Sequence, residues 1–98
     1  MLDLPEIARL AKEAASANLS VQTVETVVAE STVDSVGDDA LRVVIVVRPE
    51  SVSRLQGEAL VDTLLDIQTR LQEAGENRLP IVEYATAADL ADDGDPES

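Results

Sequence analysis

Residues 41–47 read Leu-Arg-Val-Val-Ile-Val-Val. In an extended backbone successive side chains point to opposite faces, so Leu41, Val43, Ile45 and Val47 share one face and Val44 and Val46 the other. Both faces are apolar in the middle of the segment. That is the pattern of a central strand covered on both sides, with Arg42 and Arg48 at its wet ends. Pro49 cannot donate to a ladder and stops the strand. Val43 to Val47 is also the longest apolar run in the chain, far short of the roughly 20 residues a membrane-spanning helix needs.

Upstream, Asp34-Ser35-Val36-Gly37-Asp38-Asp39 has the composition of a tight turn, because Gly accepts positive φ and Asp bonds its own local backbone. Before that turn, Val21 to Val33 is crowded with β-branched residues and reads as a second strand. Alternation fails around Val27 and Val28, so this strand is expected to be bulged or close to a sheet edge. The short turn makes the two strands an antiparallel pair. At the N-terminus, Asp3 and Glu6 have capping-box spacing with Pro5 in the first turn, which predicts a helix start. Leu4, Ile7, Leu10, Ala11, Ala14 and Ala15 then recur at helical intervals on one face, and the helix is expected to end near Asn18.

Downstream, Ser51 and Ser53 are plausible N-caps, and Ser53 with Gln56 repeats the capping-box spacing. Leu60, Leu64, Ile67, Leu71 and Ala74 form the stripe of a long amphipathic helix, which Val61 and Leu65 widen. Asp66 and Arg70 make a favourable i,i+4 pair, and Gly75 supplies the stop. Gly57 costs roughly 1 kcal/mol against Ala inside a helix, so either the helix begins near Glu58 or another backbone passes close by. Pro80 to Ala85 predicts a short third strand opening on Pro, and Thr86 with Asp89 caps a final helical turn reaching Ala91. A long helix between the second and third strands lets the third lie parallel to one of the others.

The expected fold is therefore a single small α+β domain over residues 1–91, in α-β-β-α-β order. Its sheet is three-stranded and mostly antiparallel, with helices packed on it. Residues 92–98 hold four acids, a Gly and a Pro and are expected to form a disordered acidic tail.

Composition narrows the function classes. Twenty acidic residues face seven basic ones, giving a formal net charge of −13, and the chain lacks His and Cys. Nucleic-acid affinity draws on Lys and Arg displacing counterions, so direct DNA or RNA binding is not expected. The same field favours encounter with a basic protein surface, although net charge also serves simple solubility. The absence of Cys removes disulfides, thiolate chemistry and sulfur metal sites. Asp3, Pro5 and Glu6 occupy the region where a secretory signal needs a basic start, and the expected location is cytoplasmic, with no membrane association.

Neither Asp34, Asp38 and Asp39 around Gly37 nor Asp92, Asp93 and Asp95 around Gly94 has the spacing of a calcium loop, so no metal is expected. Acid–base catalysis would have to use Glu25, Glu30 and Glu83 on strands, where alternation explains them equally well as solvent-facing positions. Without His, Cys or a Gly-rich phosphate loop, no enzyme and no cofactor are expected.

Four residues are candidates for partner binding. Glu58, Asp62 and Asp66 follow one another at i,i+4 on the long helix, a solvated ridge or a docking surface for a basic partner, bracketed by Arg54 and Arg70. Tyr84, the one aromatic residue, is either an interface anchor or a ring capping the core with its hydroxyl in water. An overhang of the long helix beyond a small sheet would leave Leu64, Ile67 or Leu71 partly bare.

The leading expectation is a non-enzymatic accessory or regulatory module that binds another protein through its acidic face, a strand edge or the tail. An antitoxin-like or inhibitor-like role, masking a basic nucleic-acid-binding surface, is one instance. The alternatives are a self-assembling homodimeric structural protein and a small-molecule-binding or catalytic domain with a pocket lined by Glu25, Glu83 or Tyr84.

Overall fold

In a computed structural model describing residues 2–93, the chain forms α1 (Leu4–Leu19), β1 (Val24–Val33), β2 (Asp39–Val47), α2 (Gly57–Glu73), β3 (Leu79–Ala85) and α3 (Ala87–Asp93). A 3-10 segment, Pro49–Arg54, joins β2 to α2. The sheet order is β1-β2-β3. β1 and β2 pair antiparallel through the Gly37 turn, and β3 returns parallel to β2 after the α2 crossover. The sheet is therefore mixed, with the longer ladder antiparallel, in an α+β domain of the expected element order. α3 includes Asp92 and Asp93, and residues 94–98 of the expected acidic tail lie outside the described residues.

β2 is the central strand. Leu41, Val43, Ile45 and Val47 face the two long helices and are buried with Ile7, Ala11, Ala14, Ala15, Ile67 and Leu71. Three alanines in this set keep α1 slim where it meets the sheet and α2, so the layers approach closely. On the opposite face Val44 and Val46 are only 2 % exposed. Their register neighbours are Val28 and Glu83 for the first, Thr26 and Ala85 for the second. β1 is bulged as expected, but at Glu25, between the pairs Val24–Val47 and Thr26–Val46, while Val27 and Val28 pair in regular register with Ile45 and Val44. No described helix is long and apolar enough to cross a membrane.

Local chemistry sets the boundaries. Asp3 caps α1 by accepting the Glu6 N–H at 3.0 Å, but the Glu6 carboxylate turns to Arg9 instead of closing the box. α1 ends at Ser20, whose φ of 110° and ψ of 151° lie in a region that residues other than Gly rarely occupy. The Ser20 hydroxyl offsets part of that cost by accepting the Thr23 N–H. In the 34–38 turn, Asp34 Oδ1 accepts the N–H groups of Val36 and Asp38, while Gly37 adopts φ +91°.

The expected Ser53–Gln56 capping box is absent. Residues 49–54 wind into the 3-10 segment and Leu55 then extends to pack against the core, so Gln56 becomes the N-cap of α2 and makes no side-chain capping bond. Gly57 is the first helical residue, and nothing lies within 4 Å of where a Cβ would stand. It marks the helix start and not a close backbone crossing. α2 closes in a Schellman arrangement, with Gly75 at φ +94° donating to Gln72 and Glu76 donating to Leu71 at 2.9 Å.

Ile67 and Leu71 are 0 % and 1 % exposed beneath α2. Truncating either to Ala is expected to cost about 2–5 kcal/mol, read as a lowered denaturation midpoint at unchanged m-value.

Candidate functional site

Two alternating chemistries meet on the outward face of α2. Glu58, Val61, Asp62 and Leu65 stand at i, i+3, i+4 and i+7, which places them on one surface of the helix. Val61 is 56 % and Leu65 53 % exposed. Glu58 and Asp62 are exposed as well and, among the described residues, neither has a cationic partner within ion-pair distance. Arg54, expected to bracket them, makes no ion pair among the described residues either. The face is thus apolar in part, negative in part and not internally neutralised.

Asp66 does not belong to it. An α-helix turns about 100° per residue, so each four-residue step drifts by about 40° and Asp66 lies about 80° round from Glu58. That rotation turns it toward α1. There it accepts from Arg70 Nε at 3.0 Å, as its spacing predicts, and from Asn18 Nδ2 at 3.0 Å. Arg70 reaches on to Glu13 at 3.4 Å. Asp66 is therefore a joint between the two long helices. The i,i+4 ridge inferred from sequence holds over Glu58 and Asp62 only.

Tyr84 lies on the other side of α2. Its ring packs against the core from β3, half-buried, and its hydroxyl donates to the Leu60 carbonyl at 3.4 Å. Burial raises the phenol's pKa, while a contact with Thr63 lowers it. Leu60 and Thr63 face inward where Glu58 and Asp62 face outward, so the ring is separated from the acidic surface by the body of the helix. A bond this long contributes little, and Tyr84→Phe is expected to change stability by less than about 1 kcal/mol in a denaturant titration.

The strand carboxylates are also accounted for. Glu30 on β1 and Glu83 on β3 clamp Arg42 on β2 from either side, at 2.9 Å and at 3.0 and 3.1 Å. Both glutamates hold the guanidinium in its charged form, Glu83 more strongly. Glu25 is exposed at the β1 bulge. Tyr84 lines a cleft of about 100 Å³ with Val47, Val52, Leu55, Ala85, Thr86 and Asp89, below the roughly 300–1,000 Å³ of small-molecule pockets. No cluster of three or more metal-ligating side chains occurs among the described residues.

Val61 and Leu65 are the site residues that pattern reading assigned to the core. The expected overhang is not seen: Ile67 and Leu71 are sealed and Leu64 is intermediate, and the bare residues are Val61 and Leu65, which turn away from the core. The signal was the width of the stripe: Leu60-Val61 and Leu64-Leu65 cover more of the circumference than a two-layer fold can bury on one side. Comparison with family models, with curated proteins and with solved structures finds no match, so the functional reading stands on the geometry.

Proposed function

We propose that this chain is a non-enzymatic accessory module that binds another protein, and that the partner presents a basic surface to the outer face of α2. The observation that carries the reading is the pairing of Val61 and Leu65, each more than half exposed, with Glu58 and Asp62, which lack a counter-ion among the described residues. Exposed apolar side chains supply the area that a complex buries, and unopposed carboxylates select a cationic neighbour and speed its approach. A net charge of −13 extends that steering field beyond the contact itself. Masking a basic nucleic-acid-binding surface, as an antitoxin or inhibitor would, fits this chemistry.

Affinity capture from the native host tests the reading. The expected product is a protein with a basic surface that is retained at low salt, released as salt rises, and lost when the bait carries Glu58→Lys and Asp62→Lys. Equal retention by both baits, or captured proteins without a basic surface, would overturn it.

A further inference from the structure

β3 is an edge strand. β2 hydrogen-bonds it on one side, and among the described residues no strand lies on the other. Such an edge exposes a row of backbone donors and acceptors. α1 packs on β1, while α2 lies beside α1 and reaches β3, where Leu60 meets Tyr84. The flank of α2 that faces α1 carries Asp66 and Arg70. By helical rotation the opposite flank carries Val61, Leu65, Gln68 and Gln72, at i, i+4, i+7 and i+11. This second flank stands over the outer margin of β3, since Gln68 and Gln72 share a groove of about 320 Å³ with Leu79 and Pro80. Val61 and Leu65 continue the same stripe toward the β3 end marked by Tyr84.

From this juxtaposition we infer that the groove between α2 and the free edge of β3 accepts an extended segment of the basic partner as a fourth strand. Backbone bonds to β3 would supply affinity, and alternate side chains would meet the α2 stripe. The matching sequence alternates apolar residues, seated against the α2 stripe, with Lys or Arg on the opposite face of the sheet, where the exposed Glu83 carboxylate of β3 stands. The other edge is less suited. β1 begins in a bulge, which disrupts pairing, and α1 exposes charged Arg9, Lys12 and Glu13. A second copy fits the edge but not the charge, because it brings another −13 to a chain of the same sign.

This inference rests on the protein-binding reading, and the test separates the two. The probe is an end-blocked octapeptide alternating Val and Lys, titrated into the isotope-labelled chain with amide shifts and exchange rates as the readout. Expected are shifts in β3 between Leu79 and Ala85, slowed exchange of its outward amides, and loss of binding with Val61→Asp plus Leu65→Asp. N-methylating the peptide amides along one edge should weaken binding at least about tenfold, and along the other edge should not, because only one edge faces β3. Insensitivity to methylation on either edge would overturn strand addition, while a partner still lost by Glu58→Lys plus Asp62→Lys would leave the basic docking reading standing. Shifts centred on β1, no shift at all, or a dimer in light scattering with β3 amides already protected would each overturn the inference.

Discussion

Glu76→Ala is expected to lower the unfolding free energy by about 3–5 kcal/mol, the range seen when one partner of a buried ion pair is removed. Glu76 is 2 % exposed just past the C-terminus of α2. Its carboxylate accepts from the Leu2 N–H at 2.9 Å, the Arg78 N–H at 3.0 Å, and Arg78 Nε and Nη2 at 2.9 and 3.1 Å. Arg78, its side chain 11 % exposed, also donates to the Leu2 carbonyl and the Ser31 hydroxyl. The Glu76–Arg78 pair thus ties the N-terminal segment, β1 and the α2–β3 connection together. Without it a nearly buried guanidinium loses its counter-charge, and the loss is a large part of the 5–15 kcal/mol typical of a domain.

The same group sets an acid limit. Arg78 side-chain bonding, and then backbone donation from Arg78 and Leu2, lower the Glu76 pKa from 4.5 to about 2 against the cost of burial. A carboxyl whose folded pKa is depressed adds stability that is fully present above its unfolded value. That stability drains as pH falls from 4.5 toward about 2, and the drop corresponds to about 3 kcal/mol. Urea titrations at neutral pH and near the lower limit should show wild type losing this contribution while Glu76→Gln, already lacking the charge, loses less. Equal acid sensitivity in the two would assign the effect to other carboxylates.

Glu58→Lys with Asp62→Lys is expected to weaken partner binding by about ten- to a hundredfold at low salt, because reversal replaces attraction with repulsion at the contact. The effect should shrink at high salt as screening shortens the reach of both charges. Folding should be unaffected, since both positions are exposed and, among the described residues, neither carboxylate is held by an ion pair. Asp66→Lys is the informative contrast. Its carboxylate joins Arg70 and Asn18, so that change should loosen the α1–α2 junction and register in thermal stability. Isothermal titration against the captured partner, beside thermal denaturation of each variant, distinguishes the two roles.

Regular periodicity made most of the fold legible. Alternation over Leu41 to Val47 marked the central strand, Gly37 and Gly75 marked a turn and a helix end, and Thr86 with Asp89 closes the reciprocal capping box its spacing suggests, at 3.2 and 3.0 Å. Ser53 and Gln56 have equal spacing but no box, because Leu55 is drawn to the core and breaks the helix between them. Spacing shows that a bond could form, and packing determines whether it does.

The candidate surface was legible in part. The i,i+4 rule captured Glu58 and Asp62 but carried Asp66 along, since a local rule does not accumulate the drift of the helix. Val61 and Leu65 looked like core because periodicity identifies an apolar stripe without saying how much of it a small sheet can cover. Glu76 and Arg78 belong to no motif or periodic stripe in the sequence. Their burial depends on Leu2, some seventy residues away in sequence, and long-range contacts of that kind leave no periodic trace.

The footprint of the captured partner on the labelled chain is the most direct test of the account. Amide shifts concentrated on Glu58, Val61, Asp62 and Leu65, and absent when Glu58 and Asp62 are reversed, are the predicted result. A footprint confined to the Gly37 turn or to the exposed face of α1, with the outer surface of α2 unperturbed, would contradict it.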